Sequence, residues 1–166
     1  MNEVYLCLGG NLGNCLASFK QAISYIKLKA GEVKLCSSAY QTQAWGMTDT
    51  PDFYNQVIKL ETKLTAHELM DVLLDIEKTL GRERKEPAKD YQNRVIDIDI
   101  LFFNNEVIET ETLQIPHPRL HLRRFVLEPL NEIAPNYFHP LLHKSASELL
   151  VLCTDNGQIN KLTHAV

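Results

Sequence analysis

Residues 95–103 read Val95-Ile96-Asp97-Ile98-Asp99-Ile100-Leu101-Phe102-Phe103. The run is β-rich, and alternate residues of a strand share a face. Asp97 and Asp99 therefore point one way, while the isoleucines point into a core. Two carboxylates held that close repel, and each favours protonation unless a cation lies between them. Mg2+ resolves the conflict, because it takes carboxylate oxygens together with phosphate oxygens and water. Taken alone, the same pattern also suits a solvent-facing strand edge with two ordinary acids. The run ends at Asn104-Asn105, a turn signal that predicts a hairpin into Glu106-Val107-Ile108.

Outward from this strand, residues 82–94 carry Arg82, Arg84, Lys85, Lys89 and Arg94, with Pro87 inside and no periodicity. That composition predicts a solvated loop. Set beside an acid pair, its arginines suit a polyanion, since a guanidinium pairs bidentately with phosphate. Before the loop, Thr65-Ala66-His67-Glu68 has the form of a capping box. Leu69, Val72, Leu73, Ile76 and Leu80 then mark one helix face, and Gly81 stops it. Tyr54 to Thr62 and Val33 to Tyr40 alternate as strands, with a loop from Gln41 to Asp52 between them. Leu16, Phe19, Ile23 and Ile26 recur at helical spacing and Gly31 closes that segment. Val4 to Leu8 is a short apolar strand ending in Gly9-Gly10-Asn11-Leu12-Gly13.

The order β-α-β-β-α-β predicts an α+β, ferredoxin-like sheet with antiparallel neighbours and both helices on one face. The last third adds the hairpin, a bend at Pro116 and Pro118, a helix near Phe125–Ile133, and another begun by Ser145-x-x-Glu148. With no repeat, low-complexity tract or linker, 1–166 is expected to form one domain. Its 166 residues are enough to bury a core without staples. A formal net charge of −4 offers no basic field for nucleic acid or an anionic membrane. The start lacks a basic, then apolar, leader, and no apolar stretch approaches the ~20 residues of a membrane helix. Cys7, Cys15, Cys36 and Cys153 are scattered, which suits reduced thiols in a cytoplasmic protein rather than a disulfide framework.

Two further clusters stand out. Pro116-His117-Pro118-Arg119, followed by Arg123-Arg124-Phe125, presents polar groups from a stiff segment. Phe53 and Asn55 share a strand face, with Thr42 and Trp45 upstream. One aromatic plus one amide is a minimal device for a flat, hydrogen-bonding heterocycle, although a core aromatic beside a turn amide reads the same way.

Arg94-x-x-Asp97-Ile98-Asp99-Ile100-Leu101 resembles the signature of the 6-hydroxymethyl-7,8-dihydropterin pyrophosphokinases of folate biosynthesis. Gly9-Gly10-Asn11-Leu12-Gly13, Pro51-Asp52-Phe53-Tyr54-Asn55, Ile76-Glu77 with Leu80-Gly81-Arg82, and the Pro116–Arg119 and Arg123–Leu127 segments resemble further blocks of that family, in order. The resemblance implies pyrophosphate transfer from ATP, the co-substrate, to the pterin hydroxymethyl group, with AMP leaving. It implies two Mg2+ ions on Asp97 and Asp99, and Arg82 and Arg94 stabilising the group in flight. Glu77, Arg84, Lys85, Ile100, His117 and Arg123 would contact ATP. Thr42, Gln43, Trp45, Phe53, Asn55 and Phe125 would form the pterin site, with Phe53 and Phe125 sandwiching the ring. Small molecules are then the only partners, with no nucleic acid and no membrane, and the chain is expected to be a monomer. The 82–94 loop is expected to close over ATP. The chain departs from the family pattern at Gly10, Phe53, Tyr91 and Gln92-Asn93. Two other readings fit the fold class: a two-metal nucleotidyl transferase or cyclase, which would release free pyrophosphate, and an RNA-binding module. The second suits an acidic strand poorly.

Overall fold

The computed structural model describes residues 1–43, 51–81 and 95–162. The strands are β1 (Asn2–Gly10), β2 (Gly31–Cys36), β3 (Tyr40–Thr42), β4 (Phe53–Thr62), β5 (Asp97–Phe103), β6 (Ile108–Glu109), β7 (Gln114–Ile115) and β8 (Ile159–Lys161). The helices are α1 (Cys15–Lys29), α2 (Ala66–Thr79), α3 (Arg124–Ile133) and α4 (Ala146–Leu152), with a 3-10 turn at Leu120–Leu122.

The main sheet runs β5-β1-β4-β3-β8, with β2 also paired to β4. Its first four neighbours, β5, β1, β4 and β2, pair antiparallel throughout. That is the ferredoxin-like arrangement the element order predicts, because each helix carries the chain over one face and leaves room for a strand to insert.

Alternation divides the sheet. Val4, Leu6, Leu8, Ile58, Leu60, Ile98 and Ile100 form one buried face with Phe19 and Ile26 of α1 and Leu69, Leu73 and Ile76 of α2. Both helices start on real caps. The Asn14 side chain accepts from Ala17 N–H, and Thr65 and Glu68 form the reciprocal box. On the other face, Tyr5, Cys7, Val57, Leu101 and Phe102 pack against Val126, Leu127 and Leu130 of α3 and Ala146 and Leu149 of α4. So the two core helices do share one face, and the C-terminal helices cover part of the other.

Three expectations need correction. The segment 33–40 is not one strand: it divides into β2 and β3 around Ser37-Ser38, whose groups turn to other partners. Ser37 Oγ accepts from Val57 N–H and Ser38 N–H donates to Glu132. The turn at Asn104-Asn105 exists, with Asn104 at φ 50°, but β5 and the segment after it do not pair across it, and the added hairpin forms one step later. Asn104 is tied back to Glu3 through backbone and side chain, the chain leaves the main sheet, and β6 pairs with β7 instead. β8 was not foreseen. Among the described residues no helix is long and apolar enough to cross a membrane.

Candidate active site

The register places the predicted residues in rows across one face. Asp97 of β5 lies opposite Gly9 of β1, which lies opposite Asn55 of β4, which lies opposite Tyr40 of β3. One step along, Asp99 is opposite Cys7, and Cys7 is opposite Val57. One step the other way, Phe53 is opposite Thr42. The acid pair and the aromatic-amide pair, 42 to 46 positions apart in sequence, therefore lie on the same face, separated by the single strand β1.

That strand shapes the amide's seat. A Cβ on Gly9 would come within 2.9 Å of Asn55 Nδ2, so glycine leaves the space in which this buried amide sits. Asn55 Nδ2 in turn donates to Cys7 Sγ at 3.8 Å. The four thiols are free. That of Cys7 is buried, and burial first, then the Asp99 charge, push its pKa far up. It is a neutral acceptor and not a nucleophile.

His117 reaches the acids from the opposite side. Its backbone N–H donates to Leu101 O at 3.0 Å, fastening the segment to β5. Its Nδ1 accepts from Arg119 N–H at 3.2 Å. A neutral ring then carries its proton on Nε2, 3.9 Å from Asp99 Oδ2. Burial, with the Arg123 charge beside it, pushes the His117 pKa down to about 4 against the pull of Asp97. It is an uncharged donor at neutral pH. Arg123 stacks its guanidinium 5.6 Å from the centre of the Phe125 ring, so the start of α3 brings a cation and an aromatic to the same face.

Glu77 and Ile100 sit differently. Glu77 is buried at the end of α2 and accepts the Ile98 N–H at 2.7 Å, tying the helix to the acid strand. Ile100 is in the core on the helix side, so its side chain faces away from the acid pair. Gln43 is exposed at the end of β3. Gln41 Nε2 donates to Asp52 Oδ2 at 2.8 Å, tying β3 to the residue that precedes β4. Trp45, Arg82, Arg84, Lys85 and Arg94 lie outside the described residues, as does the loop 82–94. Gly9 and Cys7 were missed as site-forming residues. Strand alternation could have found both, since they share the face of Tyr5, Cys7 two and Gly9 four residues beyond it.

The donor set fits Mg2+. Two carboxylate oxygen donors stand on adjacent same-face positions, and among the described residues no group of three or more His, Cys, Asp and Glu forms a closed cage. Mg2+ is held in this way by one or two carboxylates plus water and substrate phosphates.

Comparison with known proteins agrees. Residues 5–135 match the family model described as 7,8-dihydro-6-hydroxymethylpterin-pyrophosphokinase (HPPK). A 2-amino-4-hydroxy-6-hydroxymethyldihydropteridine pyrophosphokinase of Aquifex aeolicus is 40% identical over 148 residues, covering 89% of this chain and 90% of its own. One from Synechocystis is 40% identical over 150 residues, covering 89% and 75%. A folic acid synthesis protein of Dictyostelium discoideum is 36% identical over 167 residues, but this chain spans only 24% of its length. Among solved structures, a Plasmodium falciparum HPPK-DHPS superposes with TM-score 0.74 at 18% identity, covering 91% of this chain and 45% of the other, a likeness of fold. The family match spans both the acid pair and the aromatic-amide pair that the register brings to one face, and this chain belongs to the 7,8-dihydro-6-hydroxymethylpterin-pyrophosphokinase family.

Proposed function

We propose that the face carrying Asp97, Asp99, Asn55 and Phe53 is where this chain performs its family's reaction. Membership makes the chain an ATP-dependent enzyme that transfers pyrophosphate from ATP to the hydroxymethyl group of 6-hydroxymethyl-7,8-dihydropterin and releases AMP. The family uses Mg2+-ATP. The observation that carries the residue assignment is the row Asp97–Gly9–Asn55, which brings oxygen donors for a metal to within one strand of a seat for a heterocycle.

Asp97 and Asp99 would hold two Mg2+ ions. Held by these two carboxylates, the ions would supply charge neutralisation for the triphosphate during in-line displacement. Asn55 hydrogen-bonds the pterin edge. Phe53 and Phe125 stack on its two faces, and Thr42 and Gln43, with Trp45, close the rim. His117, as a neutral donor, and Arg123 hold phosphate oxygens, joined by Arg84 and Lys85. Arg82 and Arg94 stabilise the charge that develops on the transferred group. Glu77 acts through Ile98, fixing the strand that presents the acids, and Ile100 contributes backbone only. No protein base is required, because phosphoryl chemistry asks chiefly for alignment and charge stabilisation. Every proposed contact comes from one chain, so the reading needs neither a second subunit, a nucleic acid nor a membrane, and it suits a cytoplasmic setting.

The test is incubation with ATP, hydroxymethyl-dihydropterin and Mg2+, followed by chromatography. Formation of AMP together with the pterin diphosphate supports the reading. Free pyrophosphate in place of AMP would indicate nucleotidyl transfer and overturn it.

A further inference from the structure

On α3, Glu132 follows Phe125 by seven residues, so both lie along one side of the helix. Its carboxylate collects four contacts. Oε2 accepts from Ser38 N–H at 2.9 Å and from Ser38 Oγ at 3.2 Å. Oε1 accepts from Tyr40 Oη at 2.6 Å and lies 3.6 Å from Lys161 Nζ of β8. Tyr40 lies opposite Asn55, and Thr42, two residues further along the same face, lies opposite Phe53. Glu132 thus joins the helix that carries Phe125 to β3, the strand that carries Thr42 and pairs with Phe53 and Asn55 of β4.

β4 packs directly on α3 through Val57, whereas β3 meets it beside an opening. Between α3 and the β3–β8 edge lies a cavity of about 430 Å3, lined by Tyr40, Arg124, Glu128, Asn131, Glu132 and Lys161, among others. The apolar side of α3 packs toward Val57, Leu101 and Phe102. On the β3 side the gap is bridged by the Glu132 network. Burial pushes the Glu132 carboxyl up, but the bonds from Tyr40 and Ser38 and the Lys161 charge outweigh it and hold it below the usual carboxylate range. The bridge is ionised at neutral pH.

We propose that Glu132 is a positioning residue for the pterin slot, fixing through Tyr40, Ser38 and Lys161 the separation between the Phe125 wall and the Thr42–Phe53–Asn55 wall. This rests on the assignment of that slot to the pterin. Residues outside the slot thereby set its width, and β8, which lies beyond the span matched by the family model, contributes through Lys161.

The test uses the full chain, with equilibrium binding of hydroxymethyl-dihydropterin in the presence of Mg2+ and α,β-methylene-ATP, alongside steady-state kinetics. Glu132→Gln is expected to weaken pterin binding about tenfold and Tyr40→Phe about fivefold, the scale of one charge-assisted hydrogen bond. Lys161→Met is expected to weaken it about twofold, as for an exposed ion pair. KM for ATP should change less than pterin binding in all three, because Asp97, Asp99 and His117 are held by β5 and only Arg123 of the proposed nucleotide contacts adjoins α3. Tyr40→Phe added to Glu132→Gln should weaken binding by less than about twofold more, since both remove one link. A lowered thermal midpoint with unchanged pterin binding in Tyr40→Phe and Glu132→Gln overturns the proposal, because the bridge would then serve stability alone. Phe125→Ala and Asn55→Ala are the controls. If they weaken pterin binding and the bridge variants do not, the positioning inference fails by itself. If neither control moves it, the slot assignment fails and the inference with it.

Discussion

Along β1, Leu6 and Leu8 point toward α1 and α2, while Cys7 and Gly9 point toward Asp99, Asp97 and Asn55. One strand thus serves two faces with opposite demands. The helix-side face is closed by apolar side chains that touch no chemistry. The other face is covered only in part, by α3 and α4, and carries an acid pair and an amide beside the buried Cys7 thiol. The lesson is a division of labour at single-residue spacing: moving one position along a strand should exchange a stability phenotype for an activity phenotype.

The largest effect should come from the uncovered face. Asp97→Asn or Asp99→Asn removes one arm of the metal clamp, worth several kcal/mol, and turnover should fall about a thousandfold or more. The thermal midpoint should hardly move, and wild-type turnover in both variants would refute the assignment. On the closed face, Leu6→Ala should destabilise the fold by about 3 kcal/mol, the cost of lost burial plus a cavity. Denaturant unfolding checks this, and kcat per folded molecule should stay near wild type. A sharper contrast is Gly9→Ala. The added methyl crowds the tip of the Asn55 side chain at 2.9 Å and meets the Tyr54 carbonyl at an ordinary 3.8 Å, so the fold can adjust, but the amide must move. Pterin binding should weaken by about 1–2 kcal/mol, the scale of an imperfectly made buried hydrogen bond, with little change in stability.

The smallest effect concerns a histidine remote from the acids. His139 stacks edge-on against Phe102 with centroids 5.5 Å apart, and its Nδ1 accepts from Leu141 N–H at 3.1 Å and Leu142 N–H at 3.0 Å. Burial, then the neighbouring His121 and His143, push its pKa down to about 4. The unfolded chain, titrating near the usual histidine value of about 6.5, then binds a proton that the folded chain refuses. Stability should therefore fall as pH drops from about 6.5 toward the folded value and be fully present only above about 6.5. His139→Asn retains an acceptor without the titration and should flatten that part of the profile while leaving pterin and ATP affinities at neutral pH unchanged.

How much of this was legible in the sequence follows from the range of the forces involved. Strand alternation is local, so the opposed directions of Asp97 and Ile98 could be read directly. The boxes at Thr65–Glu68 and Ser145–Glu148 are local too, and both form as read. What escaped depends on distant partners. The break between β2 and β3 rests on Glu132, 94 residues away from Ser38. The shift of the hairpin to β6–β7 rests on Asn104 being held by Glu3 and by the Tyr137 hydroxyl, which donates to its carbonyl. β8 is a three-residue edge strand, Ile-Asn-Lys, too short to show a period. The roles of Phe53, Asn55, Phe125 and the basic residues came from resemblance to a family; alternation alone placed Phe53 and Asn55 on one face without saying what lies against them.

The central claim is that Asp97 and Asp99 hold Mg2+ on the ATP phosphates beside the pterin seat. The most direct measurement is Mn2+ binding, followed by electron paramagnetic resonance, with and without α,β-methylene-ATP. Wild-type chain should bind Mn2+ tightly only with the nucleotide, and Asp97→Asn and Asp99→Asn should each weaken that binding by about tenfold or more. Equal nucleotide-dependent Mn2+ binding in wild type and both variants would contradict the account.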